Sequence, residues 1–298
     1  MSRLIDQLLA QPPRPAADHN PPDELRAKVL EHLPAQLAST EVFVIDNVAD
    51  YFERTGGWTR GIKPEDFPNV APPYQSFLLE YGIRDAHDDD ARWGVLVTAM
   101  ESDSGDGWIL ALDLYMGTST GPVGPCDLMY AIVDPSGRVT DVRGPAGADA
   151  SRTPDLVAGH WHVAAPALLA VSFLHCRNVT TRTVIAPPRI NAARIRRGRK
   201  PFHRYHTLVI EPMTNILRTE GTVEQAGLAK ALHICRGHFK TYEERPLFGR
   251  LRGTWWWQDS VRGSTEVGVL DKDYEVRAPV ASPSDVASAA RRRRGTTG

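Results

Sequence analysis

Cysteine is scarce: the 298 residues hold three, Cys126, Cys176 and Cys235, isolated from one another and odd in number. That excludes a disulfide framework and fits a reducing compartment. No apolar run reaches bilayer length. The longest, Val163–Leu174, is interrupted by Pro166 and Ser172. The start of the chain, MSRLIDQLLAQPPRP, lacks the long apolar region and small-residue cleavage site of a signal peptide and reads as a short amphipathic helix. A cytoplasmic protein with no membrane partner is the resulting expectation. A dominant charge is missing too: the net charge of −1 creates no bulk attraction to nucleic acid or to a membrane.

Several catalytic signatures are absent. GTSTGPVGP (117–125) lacks the Gly-Lys-Ser/Thr ending of a phosphate-binding P-loop, and no GxGxxG opens a helix after a strand. There is no HExxH or CxxC, and HWH (160–162) spaces its histidines wrongly for one helix face. No metal site and no cofactor are expected.

What is present is alternation of apolar runs with turn chemistry. SFLLEYGI, RWGVLVTAM, GWILALDLYMG and CDLMYAIVD are strand-length runs separated by DAHDDDA, ESDSGDG and TSTGPVGP, with Pro135-Ser136-Gly137 as a hairpin turn. Such short connections predict antiparallel pairing. Pro154–Arg177 reads as the one long helix, apolar on most faces. Leu4, Ile5, Leu8 and Leu9 mark a first short helix, and PPDELRAKVLEHL a second. The expected fold class is α+β, a mostly antiparallel sheet packed against a long central helix and N-terminal helices. Its organisation is an N-terminal helical appendage (1–40), a single α+β domain (41–277) and a disordered basic tail (278–298).

Two stretches carry candidate chemistry. Read as one strand, ALHICRGHFKTY (231–242) turns Leu232, Ile234, Arg236, His238, Lys240 and Tyr242 to one face, apolar at its start and cationic and phenolic at its end. Arginine offers phosphate a planar fork, lysine a point charge, and histidine a proton near neutral pH. Arg236, Lys240 and, after the tryptophan run, Arg262 are candidate phosphate ligands; His238, His233 and Tyr242 are candidate catalytic groups. Gly237 suggests a bulge that would bring His233 to the same side as His238. The competing interpretation is an edge strand with a solvated basic face. Of Trp255, Trp256 and Trp257, at least two are expected to be structural. The second stretch, Arg182–Arg204, has eight basic residues and no acidic one; Arg194, Arg196, Arg197, Arg199 and Lys200 are candidate nucleic-acid contacts.

The run from HTLVIEP (206–212) through ALHICRGHFKTY to LFGRLRGTWWWQDSVRG (247–263) resembles a segment of a family of actinobacterial and bacteriophage proteins without an assigned activity. APPYQSFLLEY (71–81) is similar to another piece of the same family. Members often carry a histidine shortly before the final Arg-Gly, where this chain has Ser260. The resemblance implies a bacterial or phage context and assigns no catalytic residue. The functional expectation is binding of nucleotide or nucleic-acid phosphate, extending to a metal-independent phosphodiesterase or ribonuclease. The alternative is a non-enzymatic protein-interaction factor. Oligomeric state is not legible.

Overall fold

The structure, a computed structural model, describes residues 3–16, 23–55, 66–82, 92–102, 105–126, 128–144, 153–219, 231–235, 237–258, 260–262 and 264–269. The chain divides into two compact units: Met1–Val223 with Gly237–Gln258, and Glu224–Arg236 with Asp259–Gly298.

The first unit is built on a nine-stranded sheet. Its strands are β1 (Glu41–Val44), β2 (Ser76–Gly82), β3 (Arg92–Glu101), β4 (Trp108–Thr118), β5 (Gly121–Val123), β6 (Leu128–Val133), β7 (Val139–Arg143), β8 (Val179–Val184) and β9 (Tyr205–Ile210). They lie in the order β7-β6-β4-β3-β2-β1-β9-β8, with β5 added to β4. From β2 to β7 the pairing is antiparallel, as short turns require. β1 is the exception and runs parallel to both β2 and β9, so the sheet is mixed. The β1–β2 connection carries helix α3 (Asp46–Arg54), which gives it the length of a crossover.

Both faces of the sheet are covered. On one, Phe77, Leu79 and Tyr81 of β2 and Leu110, Leu112 and Leu114 of β4 pack with α3 and with α4 (Thr153–Leu174). The described part of α4 from Val163 onward is buried almost without interruption, and its alanines at 164, 165, 167 and 170 permit close approach. On the other face Leu78, Leu96 and Tyr115 meet Leu4, Ile5 and Leu8 of α1 (Leu4–Ala10) and Leu33 and Leu37 of α2 (Asp23–Ser39). Two covered faces explain why SFLLEYG is apolar nearly throughout rather than alternating. The initial helices thus form one wall of the unit. Gly94 lets α1 sit down on the sheet, because a Cβ there would overlap the side chain of Leu4. No helix among the described residues is long and apolar enough to cross a membrane.

The first unit also contains a hairpin, β11 (His238–Leu247) and β12 (Leu251–Trp257). Trp256 anchors it, with its ring centroid 4.8 Å from Phe173 of α4, 4.7 Å from Phe239 and 5.2 Å from Tyr51 of α3. Buried Asn178 clamps the same residue: its side-chain amide donates to the Trp256 carbonyl, and its amide oxygen accepts from the Trp256 N–H, both at 2.9 Å. Trp255 is buried as well, on the opposite face of β12.

The second unit has a three-stranded sheet of β10 (Ala231–Cys235), β13 (Ser260–Arg262) and β14 (Ser264–Val269), in the order β13-β10-β14. The single strand expected over 231–242 is therefore corrected. It is two strands, β10 and β11, in two sheets and two units. Gly237 stands at the break rather than in a bulge, consistent with its weak hold on extended backbone. The expected tail and the DAHDDDA turn (85–91) lie outside the described residues.

Candidate functional site

The basic run is only partly a loop. Pro188, with its preset φ, opens helix α5 (Pro188–Arg196), and Arg194 and Arg196 fall in its last turn, where cations oppose the helix dipole. Gly198, at φ +69°, then reverses the chain. Its N–H bonds the Ile195 carbonyl at 2.9 Å, and that of Arg199 bonds Arg194 at 3.0 Å.

The reversal is pinned from both sides. Arg194 Nε donates to the Lys200 carbonyl at 2.8 Å, and its guanidinium carbon lies 3.8 Å from the Phe202 ring centroid. Lys200 Nζ donates to the Leu9 carbonyl at 2.9 Å, a cation at the C-terminal end of α1. The His203 N–H donates to Asp6 Oδ1 at 3.1 Å. Burial pushes the Asp6 carboxyl up, against the opposing pull of that bond and of Arg3 and Arg194.

Facing this turn is the β4–β5 hairpin. Gln7 Nε2 ties it to α1 by donating to the Thr118 carbonyl at 3.3 Å. The Thr118 and Thr120 hydroxyls are 3.0 Å apart, and Arg14 donates to Thr120 Oγ1 at 2.7 Å. Between hairpin and turn lies a cleft of about 630 Å³. Arg194, Arg199 and Lys200 line one side; Thr118, Ser119 and Thr120 line the other; Asp6 is the one acidic side chain in the lining. The volume suits a molecule of nucleotide size and is too small for a duplex. The Arg199 side chain is exposed, and its guanidinium makes no hydrogen bond or ion pair among the described residues. Arg196 and Arg197 are exposed and do not line the cleft.

The six residues of the other candidate set are distributed over two units. His238, Lys240 and Tyr242 share a face of β11, opposite Trp257, Trp255 and Gly253. His238 and Lys240 are exposed, and Lys240 Nζ lies 5.2 Å from the Tyr242 ring centroid. His233 and Arg262 are register partners on β10 and β13 of the second unit. Arg236 lies outside the described residues.

Composition alone pointed to Arg194, Arg199 and Lys200. It did not point to the wall opposite them. Thr118, Ser119 and Thr120 belong to the segment set aside for lacking a P-loop lysine, and their hydroxyls were the available signal. Comparison of the chain with models of known protein families and with curated proteins found no match.

Proposed function

We propose that the first unit binds the phosphate of a nucleotide or of single-stranded nucleic acid in the cleft between α5 and the β4–β5 hairpin. One observation carries this: three cations and three hydroxyl-bearing residues line a concavity of about 630 Å³ holding a single carboxylate. Arginine and lysine supply charge-assisted donors to phosphate oxygens, and hydroxyls supply neutral ones. Phe202, already stacked under Arg194, offers part of an aromatic surface for a base.

Arg199→Ala is the informative variant, because Arg194 and Lys200 also hold the turn together. Losing one charge-assisted contact should weaken binding of a dye-labelled single-stranded oligonucleotide about tenfold at 50 mM salt. It should also lower the slope of log K against log salt by about 0.7. Equal affinity of variant and parent, measured by fluorescence anisotropy, would overturn the assignment. The phosphodiesterase reading adds cleavage, with His238 as acid–base group and Tyr242, on the same face of β11, orienting the substrate. An oligonucleotide left intact after prolonged incubation would remove that step and leave the binding reading standing. The protein-interaction alternative rests on Ile185, Ile190 and Ile195, all exposed beside the same basic residues. It predicts a chain that ignores the oligonucleotide even at 50 mM salt.

A further inference from the structure

β1, β9 and β8 lie side by side at one edge of the large sheet. Phe43 and Thr183 are both register partners of His206, so their side chains and that of Glu41 share a face. Across that face runs a chain of polar contacts. Glu41 Oε2 lies 2.9 Å from His206 Nε2, and His206 Nδ1 lies 3.1 Å from Thr183 Oγ1. Arg204 donates to the second Glu41 oxygen at 2.8 Å. Burial would raise the Glu41 carboxyl, but the bonds from His206 and Arg204 outweigh it and hold it below the usual range. Glu41 is thus a carboxylate at neutral pH, and a carboxylate can only accept a proton bond. It selects the imidazole tautomer protonated at Nε2, leaving the Nδ1 lone pair aimed at the Thr183 hydroxyl.

Hydroxyl, base and orienting carboxylate in line are the parts of an activated oxygen nucleophile. The surroundings suit that role. The Phe43 ring, 5.2 Å from the imidazole, backs the base with apolar surface, and half-exposed Tyr74 lies 5.8 Å from Phe43. Thr183 is exposed and on the edge strand, within reach of a substrate.

We propose that Thr183, His206 and Glu41 form an acyl-transfer site for carboxylic esters, with Thr183 as nucleophile, His206 as general base and Glu41 as positioning residue. Tyr74 offers an aromatic surface to the acyl or leaving group. Thr183 Oγ1 attacks the ester carbonyl carbon as its proton moves to His206 Nδ1. The bond from carbon to the leaving oxygen breaks, and that oxygen takes the proton from His206. Water then attacks the acyl–threonine ester, gives a proton to His206, and the freed Thr183 oxygen recovers it. The site is separate from the phosphate cleft and does not depend on it.

The probe is p-nitrophenyl acetate with the full chain at pH 7.5, read by nitrophenolate release and by mass-spectrometric mapping of the acetyl group. An acetyl group on the side-chain oxygen at position 183 is expected in the parent and in Thr183→Ser. It should be absent in Thr183→Val, which keeps the shape without the hydroxyl, and depressed about a hundredfold in His206→Gln. Glu41→Gln should lower kcat with KM little changed, and Glu41→Asp should recover part of the loss, because the imidazole loses the acceptor that fixes its tautomer. A merely cross-strand polar ladder would leave kcat where it is. Parent protein with acetyl groups on lysines and none on Thr183 would overturn the proposal, as would an unchanged Thr183 acetylation rate in His206→Gln.

Discussion

Replacing Asp113 with asparagine should make the chain more stable above neutral pH and remove one source of pH sensitivity. Asp113 sits on β4 between Leu96 of β3 and Leu128 of β6, on the face covered by α1 and α2. It is buried, no hydrogen bond to its carboxyl is made among the described residues, and burial pushes its pKa from 3.8 up to about 7. The sign follows from where the proton is held. Between pH 4 and 7 the unfolded chain has released this proton and the folded chain retains it. Stability therefore falls as pH rises through that window and levels off above it. The window spans about three pKa units, or about 4 kcal/mol in full, of which about 3 kcal/mol falls between pH 5 and 8. Asparagine has nearly the same shape, never ionises, and leaves an amide buried much as the protonated acid was. Urea unfolding followed by tryptophan fluorescence at pH 5 and pH 8 gives four free energies. The parent should lose about 3 kcal/mol more than Asp113→Asn between the two pH values. Equal losses in both proteins would show that Asp113 is ionised in the fold and that its burial has been misjudged.

Trp256→Ala removes the ring that Phe173, Phe239 and Tyr51 enclose, and should cost about 3–5 kcal/mol, seen as a lower urea midpoint. Arg92→Leu leaves Glu80, fully buried on β2, without the guanidinium whose Nε lies 3.3 Å from its Oε1, an ion pair without hydrogen-bond alignment. It should cost about 3–5 kcal/mol. Burial already raises the Glu80 carboxyl despite Arg92, so the folded variant will hold Glu80 protonated, and its deficit should grow with rising pH. Adding Glu80→Gln should recover most of the loss; a double variant no better than the single one would place the damage elsewhere.

The meander from β2 to β7 was legible because each strand is an apolar run ended by Gly, Pro, Asp or Ser, and such local signals need no partner. The parallel pairing of β1 was not legible: EVFV reads as a strand, but its neighbours β2 and β9 are chosen by distant packing. Helix α5 was hidden by its own composition, since PRINAARIR was read for charge although Pro188 and Gly198 bracket it as helix signals. Burial of Asp113 was equally invisible, because GWILALDLYMG places an aspartate where an alternating strand would face water, and only α1 and α2 close that face. Of the candidate sites, the charges in RIRRGRK were legible one by one, and the concavity was not, because its second wall comes from a turn far away in sequence. The grouping of residues 231–242 on one face assumed an unbroken strand, which the separate sheets of β10 and β11 deny.

The route of the chain has a consequence for synthesis. The first unit pauses at Val223 and resumes at Gly237, and its last members, Phe239 and Trp256, close over Phe173 and Tyr51. On the ribosome, α4 therefore emerges well before the aromatic residues that cover its end. During that interval the nascent chain shows an open apolar socket, the kind of surface that chaperones hold and that aggregates when left alone. A stop codon ahead of β11 would accordingly yield a unit with that socket permanently unfilled.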